Sequence, residues 1–466
     1  MRRVVRMRGL EIARTLLLVL TALGLLALPG GSAAAGQAAG VPAKVKVAVL
    51  PFAPTGAETA EGLGIALAHA MSEGLRQLRA VRVVDVGPLL AAVSRRNVSL
   101  SDQVPEATLV ALGRDLQVRA VVAGTYRVEG DALTVQMRFV DLGGKAAAPI
   151  TEEHAGPLAA FEAGQVKLAR RVLGALGVRE SEHDARRLQA LQARPPVALN
   201  AYLPYARARW QQGLGSREGH EQALTLLAQA LETDQNFAPA HFAQGVSLYA
   251  TNNRWKASSA IRKALQLDPT YAEAYRWLGD LLVSSPRRLY DQAIQAYLKA
   301  LEHSPDMAEA YVGLGDARQA KGQFDEALQE YKKALAIEPE NARVHFGMGR
   351  IYYQEKQQYH EAVAEYQKAI KLEPGFTEAH MSLGELYEEK GLYTEAIARY
   401  RHVLSAEPNH AGATFGLARA YESVDPGQAI THWERYIELA SNLPAEKEWV
   451  DIARKHLNKL RRETGK

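Results

Sequence analysis

Thirteen histidines and no cysteine bound the chemistry open to this 466-residue chain. Without cysteine there is no disulfide, thiolate ligand or thiol nucleophile. Imidazole and carboxylate remain as metal ligands, and His154 beside Glu152 and Glu153 is one run that could suggest a site. Nothing nearby completes a site, so the run reads as a solvated strand end or turn. His241, His345 and His380 recur at one position of a repeated helix, where successive equivalents fall in different helix pairs and point into packing. No two histidines stand four apart on one helix face. Gly62-Leu63-Gly64 has glycines that a phosphate loop could use, but it lies inside a helical pattern and lacks the loop's lysine. No acid–base, nucleophilic or metal constellation forms. The expectation is a protein that is not an enzyme and holds no cofactor or metal.

Recognition is left as the chemistry, and composition narrows what is recognised. Apolar residues make up 47% and charged residues 23%, which fits folded domains rather than disorder. The 56 basic and 52 acidic residues give a net charge of +4. Arg2, Arg3, Arg6, Arg8 and Arg14 against Glu11 account for all of that excess, so the rest of the chain is neutral overall. A nucleic-acid partner is not expected. Residues 15–28 are largely apolar, Pro29-Gly30-Gly31 breaks any helix, and Ala33-Ala34-Ala35 offers small residues for cleavage. Residues 1–35 therefore read as a secretory signal peptide, or as a signal anchor if uncleaved. Either reading places the remainder outside the cytoplasm: periplasmic or otherwise exported, and held at the inner membrane where the leader is retained.

Residues 44–178 alternate strand and helix signals. A strand over 44–52 precedes a helix over 60–78, a second strand over 80–86 and short helices over 88–96 and 106–116. Strands over 119–128 and 133–141 flank Glu129-Gly130-Asp131, a tight hairpin signal. A helix over 158–176 closes the unit. Val47–Phe52, the strand with Ala123, Gly124 and Tyr126, and the hairpin leading into Phe139-Val140-Asp141 resemble the TolB N-terminal (FlgO/CsgG-type) envelope domain. That resemblance implies a small α/β domain serving as a docking module. TolB continues into a β-propeller, whereas this chain continues into helices.

From residue 197 to about 440 the chain repeats. Pro269, Pro305, Pro339, Pro374 and Pro408 follow one another at intervals of about 34 residues. A glycine recurs in the first helix of each pair at Gly245, Gly279, Gly315, Gly349 and Gly384. The second helix offers small, large, small, as in Ala293/Tyr297/Ala300 and Ala327/Tyr331/Ala334. Small residues let two helices approach, and the large one fills the gap they leave. Proline stops the second helix. The pattern resembles the tetratricopeptide repeat (TPR), with about seven repeats of which the first and last are degenerate. Residues 445–461 read as a capping helix, with Trp449, Ile452, Ala453, His456 and Leu457 on one side. Residues 179–196 read as a charged linker. The fold expected is α+β overall: a small TolB-N-like α/β domain followed by an all-α TPR solenoid.

The TPR resemblance implies that first-helix side chains line the inner wall. Carried over position by position, that wall comprises Phe242, Tyr249, Arg276, Asp280, Asp316, Arg343, Phe346, Arg350, Tyr353, Met381, Glu385, Phe415 and Arg419. Aromatics interleaved with both signs of charge suit a peptide of mixed character. The expected function is an exported, non-catalytic interaction scaffold or adaptor of the cell envelope. Its partners would be proteins or peptides of envelope assembly, secretion or export, with self-association open, and it would touch a membrane only through an uncleaved leader. The alternatives are a sensor or regulatory subunit binding a small ligand in the α/β domain and, more remotely, an envelope enzyme.

Overall fold

The computed structural model describes residues 44–56, 62–143, 150–157, 165–193 and 197–465, all within one compact unit. The leader read over 1–35 lies outside them, as do the side chains of Glu152, Glu153 and His154. No helix among the described residues is long and apolar enough to cross a membrane.

The N-terminal part is built on a mixed sheet. β1 (Val45–Val49) pairs in parallel with β3 (Val81–Val83) on one side and β4 (Ala120–Glu129) on the other. β4 turns through Gly130-Asp131 into antiparallel β5 (Ala132–Asp141), which pairs with β6 (Ile150–Pro157), while the short β2 (Ala53–Pro54) adds to β4. The hairpin expected from Glu129-Gly130-Asp131 is therefore present, with Gly130 at φ 59. β1 is central, so both its faces must be apolar. Val47 and Val49 feed one core, and Ala48 and Leu50 feed the other. α1 (Leu63–Arg76) and α4 (Gln165–Ala175) cover the first face; α2 (Val86–Arg95) and α3 (Glu106–Asp115) cover the second.

The first core does not stop at the sheet. It continues through Tyr202, Tyr205, Ala206 and Leu227 of the first helical pair, α6 (Leu199–Gln212) and α7 (Arg217–Thr233), and Phe237 at the start of the next helix. The charged segment between the two parts is packed as well. α5 (Glu182–Gln192) starts with a capping box between Ser181 and Asp184, and buries Leu188 and Leu191. Asp184 also accepts the Arg79 N–H at 2.8 Å. Further along, Arg187 and His183 reach Asp306, and Lys44 pairs with Glu338 at 2.6 Å. The sheet and α5 thus lie along the inter-repeat turns of the array.

His69 marks this junction. Its Nδ1 stands 3.0 Å from the Tyr202 hydroxyl, and its ring packs edge-on against Tyr202 and Tyr205. Burial depresses its pKa to about 4, with Glu73 opposing and Arg209 and Arg76 adding to the depression. The folded state therefore keeps His69 neutral where the unfolded chain would protonate it, at pH values between the two pKa values. Stability is full above about pH 6.5 and falls as pH drops toward 4, by about 2–3 kcal/mol. Urea unfolding of the wild type and His69→Gln across that range checks it: the variant should lose the His69 share of the slope.

The rest is helix pairs. The second helices end at Leu267, His303, Ile337, Leu372 and Ala406, each two residues before one of the five prolines. Tyr297, Tyr331 and Tyr400 of those helices are essentially fully buried. Each is clasped between two glycines: the one in its own pair and one in the first helix of the next. A Cβ on Gly315 would lie 2.5 Å from the Tyr331 ring, and one on Gly347 would lie 2.9 Å from it. Gly279 and Gly313 hold Tyr297 in the same way, and Gly384 and Gly416 hold Tyr400. The capping helix, α20 (Lys447–Thr464), buries Val450, Ala453, Leu457 and Leu460. This corrects the expected face, since Trp449 is 50% exposed.

Candidate protein-binding groove

The first helices of the complete pairs are α8 (Ala238–Ala250), α10 (Ala272–Val283), α12 (Ala308–Ala320), α14 (Ala342–Gln354), α16 (Thr377–Glu389) and α18 (Ala411–Glu422). From α10 onward successive members of this set also touch one another, and more closely than successive second helices do. The first helices are therefore the inner wall.

Along that wall the charged residues are largely paired with one another. Tyr297 donates its hydroxyl to Asp280 at 2.6 Å, and Asp280 pairs with Arg276 at 2.5 Å. Tyr331 donates to Asp316 at 2.7 Å, and Asp316 also holds Arg343. Tyr400 donates to Glu388 at 3.1 Å, which pairs with Arg419 at 2.6 Å. Burial and then the adjoining carboxylates push all three tyrosines far above the ordinary phenol range. Each clasped ring is thus also a bracket for a wall carboxylate. Sequence reasoning placed these tyrosines in packing and missed the hydroxyl. The available signal was Asp280 and Asp316, each one residue past the clasping glycine.

Two charges on the wall have no such partner. Arg350 and Glu385 occupy that same position, one past Gly349 and Gly384, and both are exposed. Neither forms an ion pair among the described residues. Arg350 sits 6.0 Å from the Phe346 ring centre. Desolvation and the nearby Glu388 lift Glu385 above the usual carboxylate value. Opposite Arg350's helix, the Tyr366 hydroxyl is buried and faces Ser382 rather than a carboxylate. Ser382 stands where the other clasps have their second glycine.

The predicted aromatic contacts are less open than expected. Phe242 is a correction: at 1% exposure it belongs to the core, against Tyr271 and Trp277. Tyr249 is half-buried beside Trp277 with Arg254 over its ring. Phe346 is half-buried between Tyr366 and Phe376. Tyr353 donates to Glu389 at 2.6 Å, and Met381 is half-buried near the last repeats. Phe415 stands edge-on to Trp433, Tyr436 and Trp449 and joins the last pair to the cap. Phe415→Ala should therefore loosen the C-terminal cap by about 2 kcal/mol. Faster amide exchange confined to 426–464 would report it; a variant with unchanged exchange would assign Phe415 to ligand contact instead.

The repeated histidines pack as expected. His345 Nδ1 stands 2.6 Å from Glu365, and His380 stacks on His402 and reaches the Pro374 carbonyl at 3.0 Å. Among the described residues no three histidines or carboxylates converge as a metal site.

Residues 290–322, 315–355 and 353–391 match a family model described as TPR repeat, and residues 377–410 match one described as tetratricopeptide repeat. Curated proteins give no match. Among solved structures, the chain is similar to MamA at 28% identity over 35% of this chain and 94% of that one, with a TM-score of 0.32. It is similar to YrrB, described as a TPR protein with an unusual peptide-binding site, at 26% identity over 40% and 95%, with a TM-score of 0.33. PilF of Pseudomonas aeruginosa is similar at 20% identity over 46% and 97%, with a TM-score of 0.41.

Proposed function

We propose that this chain, whose helical part is a tetratricopeptide-repeat solenoid and interaction scaffold, is an exported, non-catalytic adaptor of the cell envelope. The solenoid binds a partner segment of mixed charge along its first helices. One observation carries this reading. Of the predicted wall charges, Arg276, Asp280, Asp316, Arg343 and Arg419 are paired along the wall, whereas Arg350 and Glu385, at equivalent positions on neighbouring first helices beside half-buried Phe346, are not. A segment presenting an acidic residue to Arg350 and a basic one to Glu385 supplies what the wall lacks. The clasped tyrosines keep the wall rigid, so little ordering entropy opposes binding.

The α/β domain, TolB-N-like in its sequence, serves as a second docking module, and the partners are components of envelope assembly, secretion or export. The leader supports the location outside the cytoplasm. Charge reversal tests the groove: Arg350→Glu with Glu385→Lys is expected to weaken capture of an envelope partner by about 10–100-fold while leaving the fold intact. Undiminished capture by the folded double variant would remove these two residues from the interface.

A second reading, a sensor or regulatory subunit, is favoured by a cleft between the sheet and the first repeat.

A further inference from the structure

That cleft has a volume of about 370 Å³ and lies between α1, the start of α2, and the first repeat. Its packing is tight at the rim: a Cβ on Gly213, in the turn of the first repeat, would come within 2.6 Å of Val86. Val49, Ile65, Ala68, Leu89, Trp210 and Val246 give it an apolar lining. Two polar groups on that lining are incompletely used. Arg209 donates to the Gln212 side-chain oxygen at 2.9 Å and forms no ion pair among the described residues. Gln212 is itself pinned by the Ala243 carbonyl at 2.6 Å and the Ser247 hydroxyl at 2.7 Å, so Arg209 is held in place by a neutral network. A guanidinium has five N–H donors, and an amide oxygen takes only one of them here. Burial disfavours the Arg209 charge, and Tyr205, Glu273, Glu73 and Tyr271 favour it with the larger net effect. The second group is His69, whose Nε2 is shielded from solvent and has no partner among the described residues. Where the Tyr202 hydroxyl donates to Nδ1, the neutral ring carries its hydrogen on Nε2, which is then an unused donor.

We propose that this cleft binds a small carboxylate with an apolar body, its carboxylate taken by Arg209 and His69 Nε2 and its body by the lining around Trp210. A planar carboxylate matches the forked guanidinium donors. The apolar walls favour an organic anion over an inorganic one, and Asp85 on the rim disfavours a multiply charged ligand. The ligand touches both the sheet layer and the first repeat, so its binding stabilises their junction.

Titrating the full chain with hexanoate, hexanamide and inorganic phosphate, followed by tryptophan emission and melting temperature, tests this. Hexanoate is expected to bind saturably near 1 mM or tighter and to raise the melting temperature, with hexanamide at least about 10-fold weaker. Arg209→Gln should weaken hexanoate by about 10-fold or more. Ser72→Leu, which fills the cleft and leaves Arg209 in place, should do the same if Arg209→Gln does not fold. Absence of saturable hexanoate binding, equal binding of hexanamide, a preference for phosphate, or unchanged affinity in the folded variants would each overturn the assignment.

Discussion

Tyr331→Ala is expected to lower the unfolding free energy by about 3–5 kcal/mol, the range for emptying a fully buried aromatic site. The ring is fully buried, and the two glycines that clasp it sit on different first helices. The cavity would therefore open between successive repeats as well as within one. Backbones of two rigid helices cannot collapse into it without breaking other contacts. Tyr331→Phe separates packing from the hydroxyl. It keeps the ring and removes the donor to Asp316, so about 1–2 kcal/mol should be lost. Arg343 still holds that carboxylate. Urea unfolding of the two variants beside the wild type checks the order. An alanine variant no less stable than the phenylalanine variant would show that the clasp does not organise the array.

Gly64→Ala should cost about 3 kcal/mol, although the change adds one methyl group to a helix. A Cβ at that position would lie 2.0 Å from the Phe52 carbonyl oxygen. The obstruction is backbone, so no side chain can rotate away. Phe52 N–H also donates to the Gly64 carbonyl at 3.1 Å, which fixes α1 against the end of β1. Gly62, two residues earlier, has φ 84 and opens the helix. The pair of glycines that could pass for a phosphate loop is thus explained by helix entry and close approach. Gly174→Ala is the contrast, since nothing lies within 4 Å of a Cβ there and the residue is helical. That substitution should be neutral or stabilising by up to about 1 kcal/mol. Thermal melts followed by circular dichroism distinguish the two, and equal melting of Gly64→Ala and wild type would refute the close-approach account.

The repeats were legible in the sequence because each depends on local signals: a proline two residues past the second helix, and small residues facing a large one. β6 was not legible. Its sequence Ile150–Pro157 has no apolar alternation, and it pairs only with β5 at the edge of the sheet. The first repeat is degenerate for a reason visible only in three dimensions. Its Tyr202 and Tyr205 pack into the core of the sheet instead of against a preceding repeat. Phe242 was misplaced on the groove wall because Tyr271 and Trp277, from the following repeat, cover it. On the wall, the alternation of charges was readable, but which charges cancel was not. Arg276 and Asp280 are one turn apart, whereas Arg343 reaches back to Asp316 and Arg419 to Glu388 across neighbouring repeats. His69 and Arg209 meet through packing of segments far apart in the chain, which no motif marks.

Site-specific photocrosslinking tests the central claim that partners dock along the first helices beside Arg350 and Glu385. A photoreactive residue is placed at 350, at 385, or at 332 on the outer side, where Lys332 is exposed. Crosslinks to one partner from 350 and 385, and none from 332, are the predicted result. Crosslinking that is equal at 332, or absent from both wall positions while the partner still binds, would contradict it.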